Sequence, residues 1–192
     1  MAITAQEVNK LRQQTGAGMM DCKKALEENN GDFEQAIDYL RKKGAKVAAN
    51  RGDRDSKEGV VLAKTSADNK RGILIWVNCE TDFVAINADF IAFADSIATI
   101  ALEKNAKTKE EILTLSYNGD VTVGDKFMEQ CGKIGEKIEI GYFEAITAEK
   151  VSAYIHPGNR VSVIVGFNQN VADEVGRNVA MQAAAMAPVA LD

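Results

Sequence analysis

The sequence predicts an α+β protein in which three short helices precede two related subdomains of antiparallel strands packed with helices. Within residues 1–44, apolar residues recur at helical spacing in three runs, each bounded by a capping residue or by glycine. After residue 57, a hairpin followed by a helix occurs twice. We therefore predict a three-helix domain at 1–44 and a charged linker at 45–56. A core subdomain at 57–148 should hold the first repeat with its connecting helices and strand, and one at 149–192 the second repeat.

Composition restricts the class of protein. Of 192 residues, 46% are hydrophobic and 27% are charged, which is enough apolar material for one or two cores. The net charge of −5 argues against direct binding to nucleic acid. Three widely spaced cysteines and a single histidine predict free thiols and no zinc site. Because the N-terminus does not resemble a signal peptide and no apolar run could span a bilayer, we expect a cytoplasmic protein with no membrane contact.

The three N-terminal helices are predicted from their boundary residues. Thr4 and Glu7 have the spacing of a capping box, in which the hydroxyl and the carboxylate each accept from the other residue's backbone N–H. The first helix should end at the glycines that follow it, and the second should occupy about residues 19–29. Asp32 caps the third helix, which we expect to end at Gly44.

Two adjacent methionines, Met19 and Met20, open the second helix. Neighbouring helical residues point about 100° apart, so both side chains cannot easily face one core, and we expect one of them to be exposed. An exposed methionine is an adaptable contact surface, whereas a half-buried side chain is the structural alternative. The spacing alone leaves these two alternatives open.

The two hairpin-plus-helix repeats come into register when Arg71 is set opposite Arg160. The helix of the second repeat should end before Pro188. The predicted strands are residues 59–63 and 72–77 in the first repeat and 151–155 and 161–165 in the second. The apolar face of the helix in the second repeat is predicted to contain Val175, Val179, Ala183 and Met186.

The segment between the repeats contributes further elements. Thr108 has the position of a helix cap, a turn is expected at 118–120, and a second helix is predicted at 124–134. A third strand follows, and its alternating apolar residues predict one buried face. Those residues are Ile138, Ile140 and Tyr142.

The connection between strand and helix differs between the repeats. In the first repeat, the predicted loop at 78–86 includes an acid and an aromatic ring, Asp82 and Phe83, whereas the second repeat has only residues 168–170 at this point. On spacing alone, the ring either packs back onto its own domain or stays outside as an anchor for a partner. Because the short version would join the two elements equally well, the extra residues favour a function.

An enzymatic site has little support in the sequence. Cys79 could be a nucleophile with Glu80 and Asp82 as acids, but the only histidine, His156, lies in the other repeat. No phosphate-binding or dinucleotide-binding glycine motif is present. We therefore expect a protein that is not an enzyme and that has no cofactor, metal or small-molecule substrate. A thiol enzyme and a plain adaptor remain as alternatives.

Two long stretches resemble the signatures of the elongation factor Ts family: LRQQTGAGMMDCKKAL at 11–26 and NCETDFV at 78–84. Residues 133–136 and 154–165 are similar to later segments of that family. The resemblance implies a ubiquitin-associated (UBA)-like three-helix domain followed by two related core subdomains. It also implies a bacterial protein, a short form or a fragment, without the coiled-coil hairpin and C-terminal module of longer members.

The function implied by this resemblance is guanine-nucleotide exchange on elongation factor Tu, a translational GTPase, which is the one partner expected. In the family, positions matching Asp82 and Phe83 enter the GTPase near its magnesium and nucleotide, and this segment is expected to displace the magnesium. The alternative is a non-catalytic adaptor that uses the three-helix domain. Pro157 stands where the family often has glycine. The partner-binding residues implied are Arg12, Met19, Met20, Lys23, Thr81, Asp82, Phe83, Val84 and His156.

Overall fold

A computed structural model describes residues 3–187 and confirms the α+β class. The helices of this part of the chain are α1 Ala5–Thr15, α2 Met19–Glu28, α3 Phe33–Asn50, α4 Asp82–Ala85, α5 Ala88–Glu103, α6 Lys109–Thr114, α7 Val123–Ile134 and α8 Asp173–Met186. The strands are β1 Glu58–Thr65, β2 Arg71–Cys79, β3 Ser116–Asn118, β4 Val121–Thr122, β5 Glu139–Thr147, β6 Lys150–Ile155 and β7 Ser162–Phe167. None of the helices within residues 3–187 is long and apolar enough to cross a membrane.

The chain divides into two compact units. Of the described residues, the first unit contains 3–55 together with Gly124–Ile138, and the second contains Ser56–Val123 together with 139–187. The sequence pattern grouped 124–138 with the first core subdomain. Contacts between helices distant in the chain leave no local signal, which is why this return of the chain to the first unit was not predicted.

The first three helices of the first unit fit a UBA-like domain. The Thr4 hydroxyl accepts from the N–H of Glu7 at 3.2 Å, and the Glu7 carboxylate accepts from the N–H of Thr4 at 2.7 Å, which confirms the capping box. Asp32 caps α3 by accepting from the N–H of Gln35 at 3.0 Å, as predicted. The buried core of these helices consists of Val8, Leu11, Ala17, Cys22, Ala25, Leu26, Ala36 and Leu40.

Helix α3 continues to Asn50, so the predicted end at Gly44 is wrong and residues 45–50 of the expected linker are helical. A Cβ atom at Gly44 would overlap the backbone carbonyl of Met128 in α7, and one at Gly132 would lie 3.2 Å from the Cα of Gly44. The glycine therefore permits two helix backbones to approach closely. This packing offsets its unfavourable helix propensity of about 1 kcal/mol.

An ion pair also joins α3 to α7. The Nε atom of Arg41 lies 3.1 Å from Oε1 of Glu129, across 88 residues of sequence. Lys126 contacts the other carboxylate oxygen of Glu129 at 2.6 Å. Since only 11% of the Glu129 side chain is exposed, these two partners offset the cost of removing its charge from water.

In the second unit, the main sheet has the antiparallel order β1-β2-β5. Alternate residues of β2, Ile73, Ile75 and Val77, are fully buried, as expected for a strand with one covered face. Helix α5 packs on β1 and β2. Its buried residues are Phe90, Phe93, Ala94, Ile97, Ala98 and Ala101.

Tyr142 departs from the predicted alternation of β5. Ile140 is buried as predicted, but Tyr142 is 50% exposed. Val77 pairs with Ile140 and Trp76 pairs with Tyr142, so Gly141 is an extra residue in this strand. Such a bulge reverses the faces on which later residues lie. The extra residue Gly141 therefore turns Tyr142 outward, and a pattern of period two gives no indication of such an insertion.

Two smaller predictions are confirmed in the connecting segment. The Thr108 hydroxyl caps α6 by accepting from the N–H of Glu111 at 3.1 Å. The turn at 118–120 joins β3 to β4, although the sequence pattern did not predict this short hairpin.

The second repeat is the hairpin β6–β7 followed by α8, which confirms the repeated pattern. This hairpin is fixed to β1 by two hydrogen bonds. The N–H of Val61 donates to the carbonyl of Asn159 at 2.8 Å, and the hydroxyl of Ser162 donates to the carbonyl of Val61 at 2.8 Å. Both hairpins therefore belong to one hydrogen-bonded framework.

Helix α8 ends at Met186, as predicted, while Pro188 lies outside the described residues. The helix packs on its hairpin through the small residues Gly176 and Ala180, and a Cβ at Gly176 would overlap the hydroxyl of Ser152. The predicted apolar face is therefore wrong, because close approach of the backbone selects small residues for the contact. Three residues of the predicted face are exposed: Val175, Val179 and Met186.

Candidate partner-binding site

The connection between β2 and α5 forms a single helical turn instead of the open loop predicted at 78–86. Helix α4 begins at Asp82, and the N–H of Ala85 donates to the carbonyl of Thr81 at 3.2 Å. The N–H of Ile86 donates to the carbonyl of Asp82 at 3.1 Å. These local hydrogen bonds give the segment a defined conformation, so the directions of its side chains are fixed by the backbone.

The turn is anchored at both ends. Cys79, the last residue of β2, is fully buried, and its thiol donates to the carbonyl of Thr81 at 3.2 Å. Ala85 is buried beneath the turn. Asn87 then caps α5, its side-chain oxygen accepting from the N–H of Asp89 at 2.9 Å. A strand and a helix therefore hold the turn in place.

The outer side of the turn presents two large apolar side chains. Phe83 is 79% exposed and Ile86 is 67% exposed. Residues three apart lie on the same side of a helical turn, so they form one apolar projection. Asp82 is exposed beside them, and Thr81 and Val84 are half-buried. This excludes the alternative that Phe83 packs back onto its own unit.

Ile86 was missed by the sequence prediction, which ended the functional segment at Val84. The signal that identifies it is its spacing of three from Phe83. That spacing matters only in a helical turn, and a segment treated as an open loop gives no reason to pair the two residues.

The second repeat has no equivalent projection. Residues 168–172 connect β7 to α8 without a helical segment. The two repeats thus share the hairpin and the following helix, whereas the helical turn with its exposed ring occurs only in the first.

The position of Cys79 argues against a thiol enzyme. A nucleophilic thiol must be accessible to its substrate, but Cys79 has no exposed surface. Its hydrogen bond to Thr81 gives it a structural role in holding the turn. Across residues 3–187, no group of three or more His, Cys, Asp or Glu side chains is arranged to hold a metal ion.

The residues predicted on the N-terminal contact surface are exposed. Met19 is 58% and Met20 is 73% exposed, so both methionines are outside where one was expected, because the buried residues of α2 begin one turn later. Arg12 and Lys23 are also exposed. Lys23 forms a surface ion pair with Glu27 at 3.7 Å, and an exposed pair of this kind is a weak interaction.

His156 lies in the turn after β6 and is exposed. Its Nδ1 atom is 3.0 Å from the hydroxyl of Tyr154, and its backbone N–H donates to the carbonyl of Val161 at 2.9 Å. A groove of about 420 Å³ lies beside it, with Met181 and Ala184 of α8 on its wall. The imidazole is thus oriented at the rim of a mostly apolar depression.

Comparison with known proteins identifies the family. The family model for elongation factor TS matches residues 80–192. The chain is 58% identical to elongation factor Ts of Christiangramia forsetii over 192 residues, which cover 99% of this chain and 69% of the relative. The chain belongs to the elongation factor Ts family. Elongation factor Ts of Flavobacterium psychrophilum is 54% identical with the same coverage. That of Porphyromonas gingivalis is 47% identical over 193 residues, which cover 100% of this chain and 69% of the relative.

Membership of the elongation factor Ts family confirms the resemblance found in the sequence. It makes the chain a nucleotide-exchange factor of protein biosynthesis. The family match begins at residue 80, so it includes the helical turn with Phe83 and the hairpin turn with His156. Met19 and Met20 precede that match, but the full-length relatives align over 99% of the chain and therefore include them.

Proposed function

We propose that this chain is the guanine-nucleotide exchange factor for elongation factor Tu, and that it promotes GDP release by inserting α4 near the magnesium and nucleotide of the GTPase. The observation that carries the proposal is the exposed ring of Phe83 on a turn that is hydrogen-bonded at both ends. Family membership supports the choice of partner.

The proposed mechanism is thermodynamic linkage. An exchange factor that binds the nucleotide-free GTPase more tightly than the GDP form must weaken GDP binding by the same factor. A hundredfold weakening requires a coupling free energy of about 2.7 kcal/mol. A single buried aromatic anchor contributes about 2–4 kcal/mol. The binding free energy of one ring is therefore large enough to supply this coupling.

The chemistry of the turn suits this task. Phe83 and Ile86 together would fill an apolar pocket of the GTPase and shift the elements that coordinate magnesium. Loss of magnesium removes the charge that offsets the phosphates. The carboxylate of Asp82, exposed beside the ring, would repel the phosphates or orient the turn. Thr81 and Val84 support the turn at its two sides.

The remaining residues are proposed to dock the two proteins. Arg12, Met19, Met20 and Lys23 are each exposed on the first unit, and methionine adapts well to a partner's shape. His156 adds a polar contact from the second repeat. These residues supply affinity, whereas α4 supplies the coupling to the nucleotide.

The direct experiment is release of fluorescent GDP from elongation factor Tu, measured by stopped flow with and without this chain. We expect faster release in its presence and dissociation of the complex by excess GDP, because the two ligands weaken each other. An adaptor that uses only the three-helix domain would bind without accelerating release. Binding at an unchanged release rate would therefore replace the proposed function by the adaptor alternative.

A further inference from the structure

In the first unit, α2 and α3 border a groove of about 510 Å³, and four of its eight lining residues are lysines. The lysines are Lys24, Lys42, Lys43 and Lys46, and one acidic residue, Asp21, also lines the groove. This concentration of positive charge contrasts with the net charge of −5 for the whole chain. The positive field of the groove is therefore a local feature.

Most of this charge is not neutralised by the protein itself. Lys43 forms an ion pair with Asp21 at 2.5 Å. Within the described residues, Lys24, Lys42 and Lys46 have no ion-pair partner. Lys42 and Lys46 are also four residues apart on α3, a spacing at which like charges destabilise a helix. Three unpaired ammonium groups around one depression would gain from a ligand that supplies anions.

The groove also has an apolar part. Tyr39 and Val47, both half-buried, contribute to its lining between the lysines. Lys24 lies four residues after Met20, so it shares a side of α2 with an exposed methionine. The complementary ligand carries carboxylates at its edges and an apolar side chain between them.

We propose that this groove binds an acidic segment of a partner protein, with carboxylates at the three unpaired lysines and an apolar side chain on Tyr39 and Val47. A short segment senses only charges within about one Debye length, roughly 8 Å at physiological salt, and so experiences the local positive field. A long polyanion such as RNA experiences the negative charge of the whole chain as well. The surface therefore favours an acidic peptide over a long polyanion.

The test is fluorescence anisotropy of a fluorescein-labelled peptide of glutamates around one central leucine, titrated with the full chain at low salt. The triple variant Lys24→Gln, Lys42→Gln and Lys46→Gln should bind about tenfold more weakly, since three exposed charge pairs are lost. A peptide with serine in place of the leucine should also bind more weakly, because it leaves Tyr39 and Val47 uncovered.

The matched control is Lys104→Gln, Lys107→Gln and Lys109→Gln, which removes the same charge from exposed lysines of the second unit. It should bind the peptide as the wild type does, and both triple variants should keep the wild-type melting temperature because the lysines are exposed. Equal weakening by the two variants, absence of peptide binding, or tighter binding of single-stranded RNA that depends on the groove lysines would each overturn the proposal.

Discussion

Replacing Phe83 by alanine should abolish most of the stimulated GDP release while leaving the protein folded. Complete burial of an aromatic side chain removes about 200 Å² of surface from water. In the free chain, 79% of Phe83 is exposed. About 160 Å² therefore remain to be covered by a partner, which at about 25 cal/mol per Å² gives about 4 kcal/mol. Measured anchors of this kind contribute about 2–4 kcal/mol, so stimulated release should fall by about 30- to 1,000-fold.

The assay is stopped-flow release of fluorescent GDP from elongation factor Tu over a range of factor concentrations. Leu113→Ala is the matched control, because it truncates another exposed apolar side chain of the second unit and should leave the rate unchanged. Ile86→Ala should give a smaller loss of about 5- to 30-fold, since an aliphatic side chain of this exposure contributes about 1–2 kcal/mol.

Thermal unfolding separates a lost contact from a lost fold. Exposed substitutions usually change stability by less than about 0.5 kcal/mol, so Phe83→Ala should melt with the wild type. If that variant keeps both its melting temperature and the wild-type release rate, Phe83 has no part in the mechanism and the argument from its exposure is refuted.

Three further changes test other parts of the structure. Met19→Ala and Met20→Ala should weaken binding of the partner, measured by calorimetry, more than they change the factor by which GDP affinity falls; the opposite pattern would contradict a docking role. Gly44→Ala should lower the free energy of unfolding by about 1–3 kcal/mol, because the new methyl group meets a carbonyl of α7, whereas Gly18→Ala, which meets only an ordinary contact at 3.6 Å, should not. Hydrogen bonds from the backbone and then the hydroxyl of the α1 cap lower the pKa of Glu7 below its ordinary 4.5. Its stabilisation is therefore present above pH 4.5 and lost as the pH falls through the lower folded value. Glu7→Gln should remove this part of the acid sensitivity, measured by circular dichroism, and an unchanged profile would contradict it.

The parts of the fold that were predicted correctly have short-range signals. The capping residues Thr4, Asp32 and Thr108 lie next to the helices they begin, so a few letters of sequence identify each boundary. The strands predicted at 59–63 and 72–77 were likewise identified from short apolar runs within each element. Signals of this kind survive without knowledge of what packs against them.

Three of the wrong predictions share a dependence on contacts with other elements of the fold. Gly44 was interpreted as a helix end, but its role is to admit α7 from far along the chain. Gly141 adds one residue to β5 and turns Tyr142 outward. Gly176 brings α8 close to its hairpin, which leaves the predicted apolar face exposed. In each case the role of the glycine depends on a neighbouring element, and the local sequence pattern gives no information about that element.

The candidate site was found in part for a related reason. Comparison of the two repeats identified the extra residues around Asp82 and Phe83, since one repeat serves as a control for the other. The contribution of Ile86 depends on the segment being helical, and four residues are too few for a periodic pattern to appear. The structure adds it by fixing the direction of each side chain.

The packing of α3 on α7 has a consequence for how the protein is made. The residues of the Arg41–Glu129 pair are 88 positions apart, and a ribosome that adds about 5–20 residues per second needs roughly 4–18 seconds to traverse that interval. During this time the nascent helix α3 carries a bare backbone groove at Gly44 with nothing of its own chain to cover it. The first unit can therefore be completed only after α7 has been synthesised. A nascent-chain folding assay should detect its final folding step only after α7 has left the exit tunnel.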